Sequence, residues 1–283
     1  IEVLPLIDRI AKAKPDLVGF SCYMWNVDVF DEIAQVLRKR IPKAKIIWGG
    51  SEMSSDYLMQ GKFDKLEMDF CVSGEGEVTF QEFLRNQAFG VPDLSSISGL
   101  AYRQSTAEPF KINPKREALE ILHDIPSPFL TGVVDDEVLL RPKVEANIET
   151  QRGCNLRCSY CTYHKDMDKI TYSSLERVVS EVVYLVNKGV KRVRFVDANF
   201  SSDLDYSKEI IRAFIQKRFE LRLMFELIPG FIDEALAALL EEFSNLHPWN
   251  DITLGVGVQS IKLETNKAMR RGIKIEKFNQ TFE

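Results

Sequence analysis

Val144-Glu-Ala-Asn-Ile-Glu149-Thr-Gln151-Arg-Gly-Cys154-Asn-Leu-Arg-Cys158-Ser-Tyr-Cys161 is the stretch that decides the fold class. Residues 144–149 read as a strand, and three cysteines within eight residues follow it on one loop. Downstream, the pattern repeats strand and helix. A helix over 173–188 stops at Gly189, a residue that takes the left-handed turn closing many helices. A strand over 192–196, a helix over 205–218, a strand over 221–227, the breaker Pro229-Gly230 and a helix over 233–243 come next. A strand over 252–258 then leads into a helix beginning near Leu263. Such a series of βα units predicts a partial (β/α) barrel, and barrels of this kind do chemistry at the C-terminal ends of their strands. The cysteine loop sits on that rim.

Upstream, a second alternation is legible. Apolar runs at 17–22, 45–50 and 69–73 read as buried parallel strands, with helices over 27–40, 54–60 and 78–87 between and after them. This predicts an α/β, doubly wound parallel sheet of Rossmann-like type over residues 1–90. Residues 91–142 hold six of the chain's eleven prolines and read as a linker with a small hairpin near 99–112. The barrel domain then takes residues 143–283. The opening residues read as a helix already under way and residues 277–283 as the middle of another, so both ends read as cut from a longer chain.

Bulk properties narrow the classes. With 283 residues and 45% hydrophobic content there is material for more than one core. A net charge of −5 argues against nucleic-acid and anionic-membrane partners, and no apolar run is long enough to span a bilayer. Five cysteines, an odd number, do not make a disulfide scaffold in a chain this long, which favours a reducing cytoplasm.

Three thiolates on one loop can converge on an inorganic centre. A cubane of four irons held by three of them keeps one iron open. The plainer alternative is a structural zinc with His164 as fourth ligand. Zinc sites usually bring ligands as two separated pairs, and no second pair is present.

The spacing Cys154-x-x-x-Cys158-x-x-Cys161, with Tyr160 before the third cysteine and a strand before the loop, resembles the radical SAM superfamily from about residue 143 onward. The resemblance implies a [4Fe–4S] cluster on Cys154, Cys158 and Cys161. Its open iron would chelate S-adenosylmethionine, and one electron would release a 5′-deoxyadenosyl radical. By the same resemblance Tyr160 packs near the adenine, Asp197 and Asn199 hold the methionine amino group, and Gln259 and Ser260 meet the ribose. Asp197, Asn199 and Ser260 read equally as helix-capping residues, and Glu226, at the end of its strand, as a salt-bridged strand end. The last strands of a six-stranded partial barrel are missing from the pattern.

In the first domain, Ser21-Cys-Tyr23, Gly49-Gly50 and Gly74-Glu75-Gly76-Glu77 end successive strands, on the edge where open α/β sheets bind ligands. Their order resembles the cobalamin-binding domain found upstream of many radical SAM domains, and the Ser127-Pro128 linker fits that two-domain class. The resemblance implies that Ser21, Tyr23, Gly49, Gly50, Gly74, Glu75 and Gly76 cradle cobalamin. Trp25 and Asn26 either cover a corrin face or anchor a helix start. Cys22 and Cys71 read as buried structural thiols. His123 and His247 receive no role.

The expected activity is reductive cleavage of S-adenosylmethionine, with cobalamin, for methyl transfer to an unactivated carbon of a small-molecule or peptide substrate. An electron donor such as a flavodoxin or ferredoxin would serve it. Two alternatives stand beside this: a methylthiotransferase, which would need further cluster cysteines in the first domain, and a non-catalytic cobalamin or metal sensor.

Overall fold

The computed structural model describes residues 3–90, 93–161, 163 and 169–272. His164 and the helix expected over 277–283 lie outside the described residues. The chain divides into two units, one taking residues 1–118 and the other most of 119–283.

In the first unit, helix α1 (Val3–Ala13) precedes β1 (Leu17–Ser21), α2 (Val27–Arg40), β2 (Lys45–Gly49), α3 (Ser55–Met59), β3 (Phe70–Val72) and α4 (Gly76–Phe89). Strands β1, β2 and β3 are parallel neighbours in that order. Because side chains alternate along a strand, β2 feeds both faces of the sheet. Ile46 and Trp48 enter a core with Ile7, Ile33 and Leu37 of α1 and α2, while Ile47 enters another with Phe83 of α4. Helices thus cover both faces, as the apolar run of β2 requires. A buried carboxylate locks the β2–β3 step: Asp69 accepts from the Ile46 amide and pairs with Arg38, each at 2.8 Å.

Two further strands come from the stretch expected as linker and hairpin. β4 (Leu100–Tyr102) and β5 (Lys111–Ile112) pair antiparallel, and β4 continues the sheet beside β3. Leu100 is fully buried against Phe70 and Phe83, which is why this proline-rich segment folds back onto the sheet.

In the second unit, a short α5 (Asp136–Leu139) leads into β6 (Ala146–Ile148). The strands β7 (Gln151–Arg152) and β8 (Thr171–Tyr172) form a separate antiparallel ribbon. Then come α6 (Leu175–Asn187), β9 (Arg192–Phe195), α7 (Leu204–Gln216), β10 (Arg222–Leu227), α8 (Glu234–Asn245), β11 (Asp251–Val256) and α9 (Leu263–Ala268). The four main strands are parallel, in the order β6-β9-β10-β11. Ser174, Asp203 and Asp233 cap α6, α7 and α8 by accepting an amide hydrogen from three residues on. Gly189 takes φ +83 after α6, the left-handed stop that its sequence position suggested.

One face of this sheet is apolar and lies under α6–α8. Val193, Phe195, Leu223, Phe225 and Leu227 pack there with Phe200, Phe214 and Phe243. The alternate residues, Arg192, Arg194, Met224 and Glu226, are half-buried on the opposite face. The sheet is therefore a wall with a greasy outer face and a polar inner face. Among the described residues, no helix is long and apolar enough to cross a membrane.

Candidate functional site

The cysteine loop is an excursion closed at its base. β7 and β8 bring Gln151 opposite Tyr172 and Arg152 opposite Thr171, so the chain leaves and returns at one point. Gly153 makes the turn out of β7 with φ +107, and a Cβ there would stand 2.6 Å from the Lys169 carbonyl oxygen. Only glycine fits both the angle and the approach. Cys158 is buried, and Cys154 and Cys161 are half-buried. The Cys161 amide donates to the Cys158 carbonyl at 3.1 Å, and the Leu156 amide to the Cys154 sulfur at 3.4 Å.

Burial pushes the Cys154 thiol up from its ordinary pKa. The Leu156 amide opposes that shift, and the nearby Cys161 and Cys158 add to it. The three thiols therefore share one electrostatic neighbourhood. Among the described residues, no trio of His, Cys, Asp or Glu side chains is yet drawn together in metal-ligating positions. The donor set is nonetheless three thiols and no oxygen or imidazole, which suits iron–sulfur or soft-metal chemistry.

Two residues from the end of the described chain reach this loop. The Met269 carbonyl accepts from the Ser159 amide at 2.9 Å. Arg271, 7% exposed, places Nη1 3.6 Å from the Cys158 sulfur and 3.1 Å from the Tyr160 hydroxyl, and Nη2 2.5 Å from the Gly257 carbonyl oxygen. Its Nε is buried with no partner. Sequence reasoning missed Arg271, because nothing local ties an arginine beyond α9 to a cysteine 113 residues earlier. Tyr160 is half exposed beside it.

The rim residues fall into distinct environments. Asp197 is wholly buried and accepts from the Thr150 amide (2.8 Å), the Thr150 hydroxyl (2.7 Å) and the Gln151 amide (3.0 Å). It pins the root of the cysteine loop to the end of β9 and caps no helix. Burial raises its pKa to about 6 despite those three donors. Asn199 is also wholly buried. Its Oδ1 accepts from the Ile228 amide at 3.0 Å and the Ser201 hydroxyl at 3.2 Å, and its Nδ2 has no partner. An orphaned buried amide donor is costly, and it fits an acceptor on a ligand.

Glu226, at the end of β10, pairs with Arg194 at 3.1 Å on the polar inner face. Its neighbour in register on β11 is Gly255, where a Cβ would overlap the Glu226 carboxylate. Gln259 is exposed with φ +59, in a turn held by Asn266, whose Nδ2 donates to the Ser260 carbonyl at 2.7 Å. The Ser260 hydroxyl accepts from the Lys262 amide at 3.1 Å, ahead of α9.

In the first unit, Ser21, Gly49–Gly50 and Gly74–Gly76 end three adjacent parallel strands, with Ser21 opposite Gly49 in register. Gly50 has φ +105, and a Cβ there would meet the Cys22 carbonyl oxygen at 2.5 Å. Gly74 has φ +75 and is exposed; Glu75 and Gly76 start α4. The edge is thus bare backbone, as a ligand pressed against it would need. Asn26 organises the loop after β1: its Oδ1 accepts from the Tyr23 amide at 2.8 Å and its Nδ2 donates to the Ser21 carbonyl at 3.2 Å. Tyr23 and Trp25 stack with centroids 4.7 Å apart, and Trp25 is 74% exposed. Cys22 and Cys71 are wholly buried beneath this edge. Burial, with Glu52 adding to it, pushes the Cys22 thiol up to about 12, and burial raises Cys71 as well, so both are inert thiols.

Comparison with known proteins agrees with this division. The radical SAM superfamily model matches residues 148–283, and the B12 binding domain model matches residues 2–84. The cobalamin-dependent radical SAM methyltransferase TokK of Streptomyces tokunonensis is 28% identical over 94% of this chain. The 2-(S-pantetheinyl)-carbapenam-3-carboxylate methyltransferase of Streptantibioticus cattleyicolor is 26% identical over 94%. The chain spans 40% of the length of each. The fold matches that of the radical S-adenosylmethionine methyltransferase TsrM from Kitasatospora setae, solved with tryptophan substrate and a SAM analog. The TM-score is 0.72 at 19% identity, over 99% of this chain and 56% of that one. With both models matched, in this order, the chain carries a B12-binding domain ahead of a radical SAM domain.

Proposed function

We propose that this chain is the cofactor-bearing part of a cobalamin-dependent radical SAM methyltransferase, acting on an unactivated carbon of a small-molecule or peptide substrate. The observation that carries the reading is the closed loop that bears Cys154, Cys158 and Cys161 on the rim of a parallel βα series. That loop is rooted by Asp197 and backed by Arg271. Its three thiols hold a [4Fe–4S] cluster with one iron open. When bound, the cluster supplies an electron to S-adenosylmethionine and cobalamin carries the methyl group.

The remaining roles belong to the chain's own groups. Asn199 Nδ2, buried without a partner, donates to an acceptor of bound S-adenosylmethionine. Tyr160 stands on the loop, just before Cys161, with a half-exposed ring for the adenine. Gln259 and Ser260 sit on a turn at the end of β11, within reach of a ribose. Asp197 acts on the cofactor through the loop it anchors, and Arg271 supplies the cation beside the thiolates. Ser21, Tyr23, Gly49, Gly50, Gly74, Glu75 and Gly76 form the bare sheet edge for cobalamin. An acidic redox protein such as a flavodoxin or ferredoxin supplies the electrons.

The methylthiotransferase reading fits less well. It needs further cluster thiols in the first unit, and Cys22 and Cys71 are buried with raised pKa values. Anaerobic reconstitution tests the proposal. Expected are about four irons and four sulfides per chain, with loss of most of them in Cys158→Ala. On adding dithionite and S-adenosylmethionine, 5′-deoxyadenosine or S-adenosylhomocysteine should appear. Equal cluster content in Cys158→Ala, or a loaded protein that leaves S-adenosylmethionine intact, refutes it, the second outcome favouring a sensor.

A further inference from the structure

The strands whose C-terminal ends form the rim begin, at their other end, around a cavity of about 470 Å³. All four connections that enter β6, β9, β10 and β11 contribute to its wall. In a chain of net charge −5 this wall is cationic, with Arg141, Lys143, Lys188, Lys191, Arg192 and Arg222 against Glu220. Glu220 is already engaged by Lys191 at 3.4 Å and His247 at 3.1 Å, and Lys188 by Asp136 at 2.5 Å. Among the described residues, no carboxylate pairs with Arg141, Lys143, Arg192 or Arg222.

Arg222 is the most telling of these. Its Nε is buried with no partner, and its guanidinium carbon lies 4.7 Å over the ring of Trp249, itself 61% exposed. A buried, charged donor without an acceptor is a standing cost that a bound anion would remove. The cavity floor adds apolar surface from Leu139, Val190 and Leu221.

We propose that this cavity binds an organic anion. Its phosphate or carboxylate sits between Arg222, Arg192, Lys143 and Arg141, and its ring or chain lies on Trp249 and the apolar floor. A guanidinium offers paired donors that match such a group. Arg192 and Arg222 stand on the same strand face as Arg194 and Glu226. Four steps along the strand take Arg222 to Glu226, about 13 Å at roughly 3.3 Å each. The ligand therefore lies at the foot of the polar inner face, and its binding requires neither cluster nor cobalamin.

The test is titration calorimetry on the whole chain with three probes: 1-naphthyl phosphate, 1-naphthol and inorganic phosphate. The combined probe should bind at least tenfold more tightly than either piece and weaken with added salt. Arg222→Gln should lower its affinity about tenfold, and so should the double variant Arg141→Gln/Lys143→Gln at two exposed positions where folding is not at stake. Trp249→Leu should weaken the naphthyl phosphate and leave inorganic phosphate unchanged. Equal affinity for 1-naphthol, or unchanged affinity in both basic-residue variants, overturns the proposal. So does loss of binding in Arg271→Gln with none in Arg222→Gln, which would place the anion at the rim.

Discussion

Replacing Asp197 by asparagine separates two roles for that side chain. Its carboxylate is wholly buried, accepts three hydrogen bonds from Thr150 and Gln151, and has its pKa raised from 3.8 to about 6 by burial. At about 1.36 kcal/mol for each tenfold step in proton affinity, that rise corresponds to about 3 kcal/mol. The folded state holds the proton more tightly than the unfolded chain. The stabilisation is therefore full below pH 3.8 and is lost as pH climbs through 6. About 1 kcal/mol of that loss falls between pH 5 and pH 8.

Asparagine keeps an oxygen for the two amides and carries no charge. Its NH₂ group obliges the Thr150 hydroxyl to turn, at a cost of about 1 kcal/mol. Asp197→Asn should therefore be about 2 kcal/mol more stable than the parent at pH 8. That advantage should shrink by about 1 kcal/mol at pH 5. Asp197→Ala, which orphans two buried amides, should lose about 2–4 kcal/mol. Urea unfolding followed by circular dichroism at both pH values reads all three. An asparagine variant less stable than the parent at pH 8, or a difference that ignores pH, refutes the reasoning. If the carboxylate instead contacts the methionine amino group directly, the variant loses S-adenosylmethionine affinity in equilibrium dialysis with an unchanged urea midpoint.

Gly153→Ala puts a Cβ 2.6 Å from the Lys169 carbonyl oxygen at φ +107. It should cost about 1–3 kcal/mol and at least halve the iron bound on reconstitution; full iron content with an unchanged melting temperature would count against the closed-loop account. Gly50→Ala, with its Cβ 2.5 Å from the Cys22 carbonyl oxygen, should weaken hydroxocobalamin binding at least tenfold by absorbance titration, a loss of about 1.4 kcal/mol. Gly90→Ala, left-handed but open around its Cα, serves as the control and should leave that affinity unchanged.

Much of the architecture was written locally. The helix over 27–40 and the strand cores at 17–21 and 45–49 follow from apolar runs and helical spacing, and the structure has them at those positions. Gly189 announced the end of α6 by its own backbone freedom. The strands β4 and β5 were harder to place, because a proline-rich segment joins a sheet only through what lies beside it. For Leu100 that is Phe70 and Phe83.

The site divides along the same line. The order of the chain alone put three thiols on one loop after a strand, and put serine and glycine at the ends of three others. These are matters of spacing, which covalent connectivity preserves in any fold. The surroundings of those groups depended on register and burial. Strand pairing turned Asp197 inward onto Thr150, left Asn199 with an unpaired donor, laid Glu226 over Gly255 and carried Arg271 to Cys158. Each of these joins residues far apart in sequence. A contact between distant residues exists only once the sheet has fixed their separation, and so only the tertiary structure could decide it.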